Sequence, residues 1–101
     1  MPVTCRQEEN RLTAAVTGEL DHHGAKAVME ELTGYIDAAR PRHLTLDLGG
    51  LTFTDSSGIA VLLRTWRQME RTQGTMRVVN TPAQADKVFR AAGLQRLIRF
   101  E

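Results

Sequence analysis

The sequence predicts an α/β domain with a mixed, largely parallel sheet, in the order β-β-α-β-α-β-α-β. Strand-like and helical runs alternate along most of the chain, which is typical of parallel sheets with helical crossovers. Two strand-like runs at the N-terminus are separated only by a short turn, which predicts an antiparallel hairpin. The 101 residues, 42% hydrophobic and 25% charged, fit one domain over residues 1–101.

The N-terminal half supplies the hairpin and the first helix. Strands are predicted at residues 3–7 and 11–17, with Asn10 in the turn between them. Apolar residues then recur at helical spacing, which predicts a first helix over residues 24–39. Pro41 follows this helix and closes it, because the residue before a proline is disfavoured in the helical conformation.

The central segment predicts a strand followed by the second helix. Leucines alternate over residues 43–48, so the strand should pack on one face, and Gly49-Gly50 is expected to interrupt it. The second helix carries an apolar stripe formed by Ile59, Leu62, Leu63, Trp66 and Met69. Opposite that stripe lie Arg64, Arg67, Gln68 and Arg71.

The C-terminal segment predicts a strand, a helix and a last strand. The strand covers residues 76–79, and Thr81 with Gln84 forms a capping box around Pro82 at the start of the third helix. The inward positions of that helix are Ala85, Val88, Phe89 and Ala92. Gly93 ends the helix, and residues 97–100 form the last strand.

Charge and cysteine usage exclude several classes of protein. The formal net charge is +1 and the sequence pI about 8.0, so neither nucleic acid nor an anionic membrane is expected as a partner. The single cysteine, Cys5, excludes an internal disulfide framework. No signal-peptide pattern and no membrane-length apolar run is present, which favours the cytoplasm.

Asp55, Ser56 and Ser57 stand where a strand ends and the second helix begins. Backbone N–H groups in a first helical turn have no intrahelical acceptors, so this position could tolerate a phosphorylated serine. The same residue types are also common helix caps, and the local sequence alone favours capping. Loops at residues 19–23 and 54–57 both leave the carboxyl ends of strands, so we expect them to be neighbours.

Catalytic alternatives lack their usual motifs. Ser56, His22 or His23, and Asp21 could in principle form a hydrolase triad, but the G-x-S-x-G elbow is absent. The adjacent histidines do not have metal-ligand spacing, and no phosphate-binding glycine motif occurs. We therefore expect no metal, no cofactor and no enzymatic activity.

Three segments together carry a family resemblance. They are GELDHH at residues 18–23, LTFTDSSG at 51–58 and LIRFE at 97–101. With this spacing the chain resembles the STAS-domain anti-anti-sigma factors, most closely those of the sporulation type. The similarity extends over nearly the whole chain.

The resemblance implies a phosphorylation switch. Ser56 would be the phosphoacceptor for an anti-sigma factor that is also a serine kinase, and a phosphatase would reverse the modification. The unphosphorylated form would bind the anti-sigma factor and so free a sigma factor. Ser57 is then the expected helix cap. The residues expected at the partner surface are Glu19, Asp21, His22, Asp55, Ser57, Gly58 and Arg64.

An alternative within the same fold stays open. A STAS module could serve as a regulatory or scaffold component of another signalling system that does not act on a sigma factor. The chain also departs from close relatives, which have glycine where Ala60 stands and continue into a further C-terminal helix. Part of the sheet or of the flank of the second helix is therefore expected to be less covered.

Overall fold

A computed structural model describes residues 2–101 and contains five strands and three α-helices. The strands are β1 (Val3–Glu8), β2 (Arg11–Leu20), β3 (His43–Thr54), β4 (Thr75–Val79) and β5 (Arg99–Phe100). The helices are α1 (Ala25–Ala39), α2 (Ser56–Arg71) and α3 (Ala83–Ala91), followed by a short 3-10 turn at Leu94–Arg96. The predicted order of strands and helices is confirmed.

The strands form one sheet in the order β1-β2-β3-β4-β5. β1 pairs antiparallel with β2, and the β2–β3, β3–β4 and β4–β5 pairs are parallel. The mixed, largely parallel sheet with an antiparallel N-terminal hairpin is therefore confirmed. A sheet in sequential order, with crossovers of one hand, places its helices on the same face.

The core lies between that face and the helices. α1 packs against α2, and α2 against α3. Leu44, Leu46 and Leu48 point into the core from β3, each no more than 1% exposed, as their alternation predicts. The opposite face carries polar side chains, among them Thr45 and Arg77, which are joined by a hydrogen bond of 2.9 Å.

β2 and β3 are longer than the sequence pattern predicts. Gly49-Gly50 does not interrupt β3, which pairs with β2 as far as Thr54 through two register irregularities. Gly50 packs there against Thr17, whose Cγ2 would lie 2.7 Å from any Cβ at residue 50. The predicted loop at residues 19–23 is shorter than expected, because its first two residues still belong to β2.

The start and end of α3 also differ from the prediction. Pro82 is the N-cap without a side-chain hydrogen bond, so the predicted capping box does not form. Ala92 is exposed at the C-cap rather than buried, since α3 ends at Ala91. The last strand is only Arg99–Phe100, because the backbone N–H groups of Leu97 and Ile98 donate to the Leu94 carbonyl of the 3-10 turn, at 3.0 and 2.9 Å.

Candidate functional site

The candidate site lies where β2 and β3 end side by side. Thr54, the last residue of β3, is fully buried, and its Oγ1 donates a hydrogen bond of 2.9 Å to the carbonyl of Leu20. Leu20 is the last residue of β2 and pairs with Thr54 in the ladder. The two strand ends are therefore fixed to each other immediately before their loops begin, and the expected proximity of the loops is confirmed.

Asp55 caps α2 and joins it to the neighbouring loop. Its Oδ1 accepts a hydrogen bond of 2.8 Å from the backbone N–H of Ser57, and its Oδ2 accepts one of 3.2 Å from the backbone N–H of His22. The prediction that Ser57 is the cap is therefore wrong. Asp55 takes the cap because its extended backbone points its carboxylate back at the first helical turn.

Asp21 organises the other loop in a similar way. Its Oδ1 accepts hydrogen bonds from the backbone N–H of Gly24, at 2.9 Å, and of His23, at 3.0 Å. Gly24 precedes α1 and lies so close to Glu19 that a Cβ at residue 24 would be 2.7 Å from the Glu19 carbonyl oxygen. The loop is therefore a compact turn between β2 and α1.

These hydrogen bonds lower the pKa of both carboxyl groups. The pKa of Asp55 lies below its ordinary value, chiefly because the Ser57 N–H donates to the carboxylate. The pKa of Asp21 is lowered chiefly by the Gly24 N–H. The two groups also repel each other, since Asp21 acts to raise the pKa of Asp55. At neutral pH, two negative charges therefore lie beside the serine pair.

Ser56 is the first residue of α2 and is exposed. Two residues later Gly58 is buried, because α2 approaches the end of β3 so closely that any Cβ there would overlap Thr54 Oγ1. Its N–H donates to the Asp55 carbonyl at 3.0 Å. The fold therefore holds the start of α2 against the core and leaves the Ser56 side chain at the surface.

Of the other predicted site residues, three share a cleft between α1 and α2, and Glu19 lies at the end of β2. His22, Ser57 and Arg64 line one cleft between α1 and α2. Arg64 is exposed and lies two turns further along α2, so it shares the cleft but not the loop. Glu19 is exposed at the end of β2, where it pairs with Phe53.

Three further residues of the site were not among the site residues predicted from the sequence. Thr54 anchors the strand end, and Phe53 beside it is 42% exposed, unusual for a large apolar residue. Gln84, from the start of α3, hydrogen-bonds to the backbone of Thr54. Its T-x-x-Q spacing was the available signal, but that spacing indicates a capping box rather than a contact with β3.

The predicted candidates for catalysis and metal binding, His22, His23 and Ser56, are placed as follows. The rings of His22 and His23 contact each other edge to face, with centroids 5.5 Å apart. Among the hydrogen bonds of residues 2–101, none joins a histidine ring to Ser56. Within the same residues there is no cluster of three potential metal ligands, and no helix is long and apolar enough to span a membrane.

Comparison with known proteins identifies relatives over nearly the whole chain. The STAS domain family model matches residues 3–101. The anti-sigma F factor antagonist of Lysinibacillus sphaericus is 32% identical over 77 residues, which cover 76% of this chain and 66% of that relative.

Solved structures of SpoIIAA, an anti-sigma factor antagonist and Bacillus cell fate determinant, share the fold. The unphosphorylated form superposes with a TM-score of 0.82 at 23% identity, covering 98% of this chain and 87% of SpoIIAA. The phosphorylated form superposes with a TM-score of 0.74, also at 23% identity, over 98% of this chain and 90% of SpoIIAA. The resemblance drawn from the three sequence segments is confirmed, and the chain belongs to the STAS domain family.

Proposed function

We propose that this protein is an anti-sigma factor antagonist whose binding is switched by phosphorylation of Ser56. The observation that carries the proposal is the exposed Ser56 at the start of α2, beside two ionised carboxylates, in a chain that resembles antagonists of this kind. The unphosphorylated protein would bind an anti-sigma factor in the cytoplasm and thereby release a sigma factor.

The proposed partner surface surrounds Ser56. It comprises the predicted residues Glu19, Asp21, His22, Asp55, Ser57, Gly58 and Arg64. Hydrogen bonds through Asp55 and Asp21 hold much of this surface in one conformation before any partner arrives. A preorganised surface loses less conformational entropy on binding, which favours affinity. We expect Glu19 and Arg64 to contribute charges at its edges.

Phosphorylation would act through charge rather than refolding. A phosphate adds about −1.5 to −2 charges at neutral pH, next to Asp55 and Asp21. The Asp55 carboxylate already accepts from the Ser57 N–H, and the Asp55 carbonyl accepts from the Gly58 N–H. Contrary to the expectation from the sequence, two N–H groups of the first turn of α2 are therefore already used, and a phosphate on Ser56 would remain exposed at the proposed partner surface as a repulsive group.

The phosphate would have to come from another protein. The chain has no nucleotide-binding glycine motif, and no histidine ring is hydrogen-bonded to Ser56 among residues 2–101. As the family resemblance implies, the proposed partner is an anti-sigma factor that is itself a serine kinase, and a separate phosphatase would restore the binding form.

Three variants test the switch. Ser56→Ala should bind the anti-sigma factor whether or not ATP is present, and Ser56→Glu should bind it weakly because the added carboxylate repeats part of the phosphate charge. Ser57→Ala is the matched control for the site of modification and not for binding, because Ser57 belongs to the proposed partner surface; it removes the neighbouring hydroxyl but leaves the backbone N–H that donates to Asp55. Pull-down of the partner by each purified variant measures the outcome.

The modification itself is measured on intact protein. Unphosphorylated protein captures its partner from cells, ATP is added, and intact-mass analysis should show one added phosphate in the wild type and in Ser57→Ala but none in Ser56→Ala. Equal capture by Ser56→Ala and Ser56→Glu would contradict the proposal. Capture of a kinase unconnected with any sigma factor would favour a regulatory or scaffold module of another signalling system.

A further inference from the structure

β3 extends beyond the end of β4, its neighbouring strand, before the chain reaches Ser56. The β3–β4 ladder ends at the pair Asp47 and Val79, whereas β3 continues to Thr54. Residues 48–54 therefore pair in the sheet only with β2. Backbone N–H and C=O groups on the other edge of this extension need partners from outside the ladder.

Gln84 supplies those partners at Thr54. Its side-chain Oε1 accepts a hydrogen bond of 3.0 Å from the Thr54 N–H, and its Nε2 donates one of 2.8 Å to the Thr54 carbonyl. A primary carboxamide offers the same donor and acceptor as a peptide unit. Gln84 therefore takes the place that a residue of a longer β4 would have occupied.

This pair of hydrogen bonds is not a by-product of helix capping. The N-cap of α3 has no side-chain hydrogen bond. The hydroxyl of Thr81, the other half of the predicted capping box, is buried without a hydrogen-bond partner among residues 2–101. Gln84 therefore bonds to β3 and not to the start of its own helix.

We propose that Gln84 is a positioning residue for Ser56. Thr54 is held by Gln84 through its backbone and by Leu20 through its hydroxyl, and Gly58 packs directly against that hydroxyl. Ser56 follows Thr54 by two residues, so its position depends on how firmly Thr54 is fixed. The inference rests on the proposed function, because it assigns Gln84 a role in presenting Ser56 to the kinase.

The test compares Gln84→Glu with Gln95→Glu. Gln84→Glu keeps the shape and the acceptor but loses the donor and sets a carboxylate oxygen against the Thr54 carbonyl. Gln95→Glu makes the same chemical change at an exposed residue of the 3-10 turn. Amide hydrogen exchange, measured residue by residue by NMR, should accelerate at Thr54 and Asp55 by about tenfold in Gln84→Glu only, because repulsion between the Glu carboxylate and the Thr54 carbonyl would move the side chain away and weaken the remaining hydrogen bond from the Thr54 N–H as well.

Phosphorylation kinetics give the second readout. With the kinase that the unphosphorylated wild type captures, and ATP, Gln84→Glu should lower kcat by about tenfold and change KM by less than about twofold, because misplacing the reacting hydroxyl slows chemistry more than docking. Gln84→Ala, which removes both hydrogen bonds, should show the same division between kcat and KM.

Amide exchange and phosphorylation kinetics together distinguish failure of the positioning role of Gln84 from failure of the proposed function. Unchanged exchange at Thr54 and Asp55 in both Gln84 variants would overturn the positioning role, and so would a rise in KM with kcat unchanged, which would make Gln84 a docking contact. If no captured protein phosphorylates Ser56 in the wild type, the proposed function fails. The exchange measurement then still decides whether Gln84 fixes the strand end.

Discussion

Asp55 is the residue on which the geometry of the site depends most directly. One carboxylate oxygen caps α2 through Ser57, and the other accepts from the backbone of His22 in the loop before α1. A single side chain therefore ties a helix start to a loop 33 positions away in sequence. Serine in this place could reach only one of the two donors, which explains why aspartate serves better here.

The ionisation of Asp55 makes the stability of the protein depend on pH. Its pKa is lower in the folded protein than the ordinary value of 3.8, so the unfolded chain binds the proton more tightly. The stabilisation is complete at neutral pH and is lost as the pH falls below about 4 and through the folded value.

Asp55→Asn retains an oxygen acceptor for the cap but has no charge to titrate. We expect its urea midpoint to fall less between pH 7 and pH 3 than the wild-type midpoint does. An identical fall in both proteins would show that Asp55 contributes no pH-dependent stability. Asp21→Asn should behave in the same direction, because the Gly24 N–H lowers the pKa of Asp21 in a similar way.

At the scale of elements, the close approach of α2 to β3 requires glycine at one position. A Cβ added at Gly58 would overlap Thr54 Oγ1 and would lie 3.4 Å from Leu20 Cδ2. A methyl group here would push α2 away from the strand end or displace the hydroxyl from its bond to Leu20. The packing of the helix and the hydrogen bonding of the site are therefore coupled.

Two glycine-to-alanine substitutions separate this packing effect from helix propensity. Gly58→Ala should lower the free energy of unfolding by about 1–3 kcal/mol, as overpacking of a filled site does. Gly34→Ala, within α1 where nothing lies within 4 Å of the new Cβ, should raise it by about 0.5–1 kcal/mol. Urea denaturation measures both, and a destabilised Gly34→Ala would show that backbone propensity is not the dominant effect in α1.

The elements that repeat a simple pattern could be predicted from the sequence. The alternation of leucines in β3 and the helical spacing in α1 report local periodicity, which survives folding because each element buries one face. The continuation of β3 through Gly49-Gly50 could not be predicted in this way. It depends on pairing with β2 and on the fit of Gly50 against Thr17, which are tertiary contacts.

Part of the candidate site could be predicted from the order of the strands. Ser56, Asp55 and the loop around Asp21 were expected together, because strand order places the ends of β2 and β3 side by side. The division of roles at the helix start was wrong for Ser57, since capping depends on backbone angles at Asp55. Gln84 lies 30 positions from Thr54, and no local pattern reports a contact over that separation.

At the scale of the whole molecule, one continuous core joins the sheet to the three helices. Trp66, the single tryptophan, is half-buried on α2 and packs against this core. Its fluorescence therefore reports on the central helix, whereas far-ultraviolet circular dichroism reports on all helices and strands together.

We expect unfolding in urea to be a single transition, because a small domain with one core has no independent part to unfold first. The midpoint measured by Trp66 fluorescence should agree with the midpoint measured by circular dichroism. Separate midpoints would show that α2 unfolds apart from the sheet, and that the helix carrying Ser56 is not part of the same cooperative unit.

The extension of β3 beyond β4 affects how the proposed partner surface could change in evolution. The residues that fill the core from β3 lie mainly in its first half, and the exposed residues Thr52 and Phe53 follow in the extension. Phe53 pairs with Glu19 of the proposed partner surface, so we expect substitutions at Thr52 and Phe53 to change which partner that surface binds while the leucines of the core stay the same. A duplicated copy of this protein could therefore acquire a different partner through a few surface changes and keep the same fold and the proposed phosphoacceptor, Ser56.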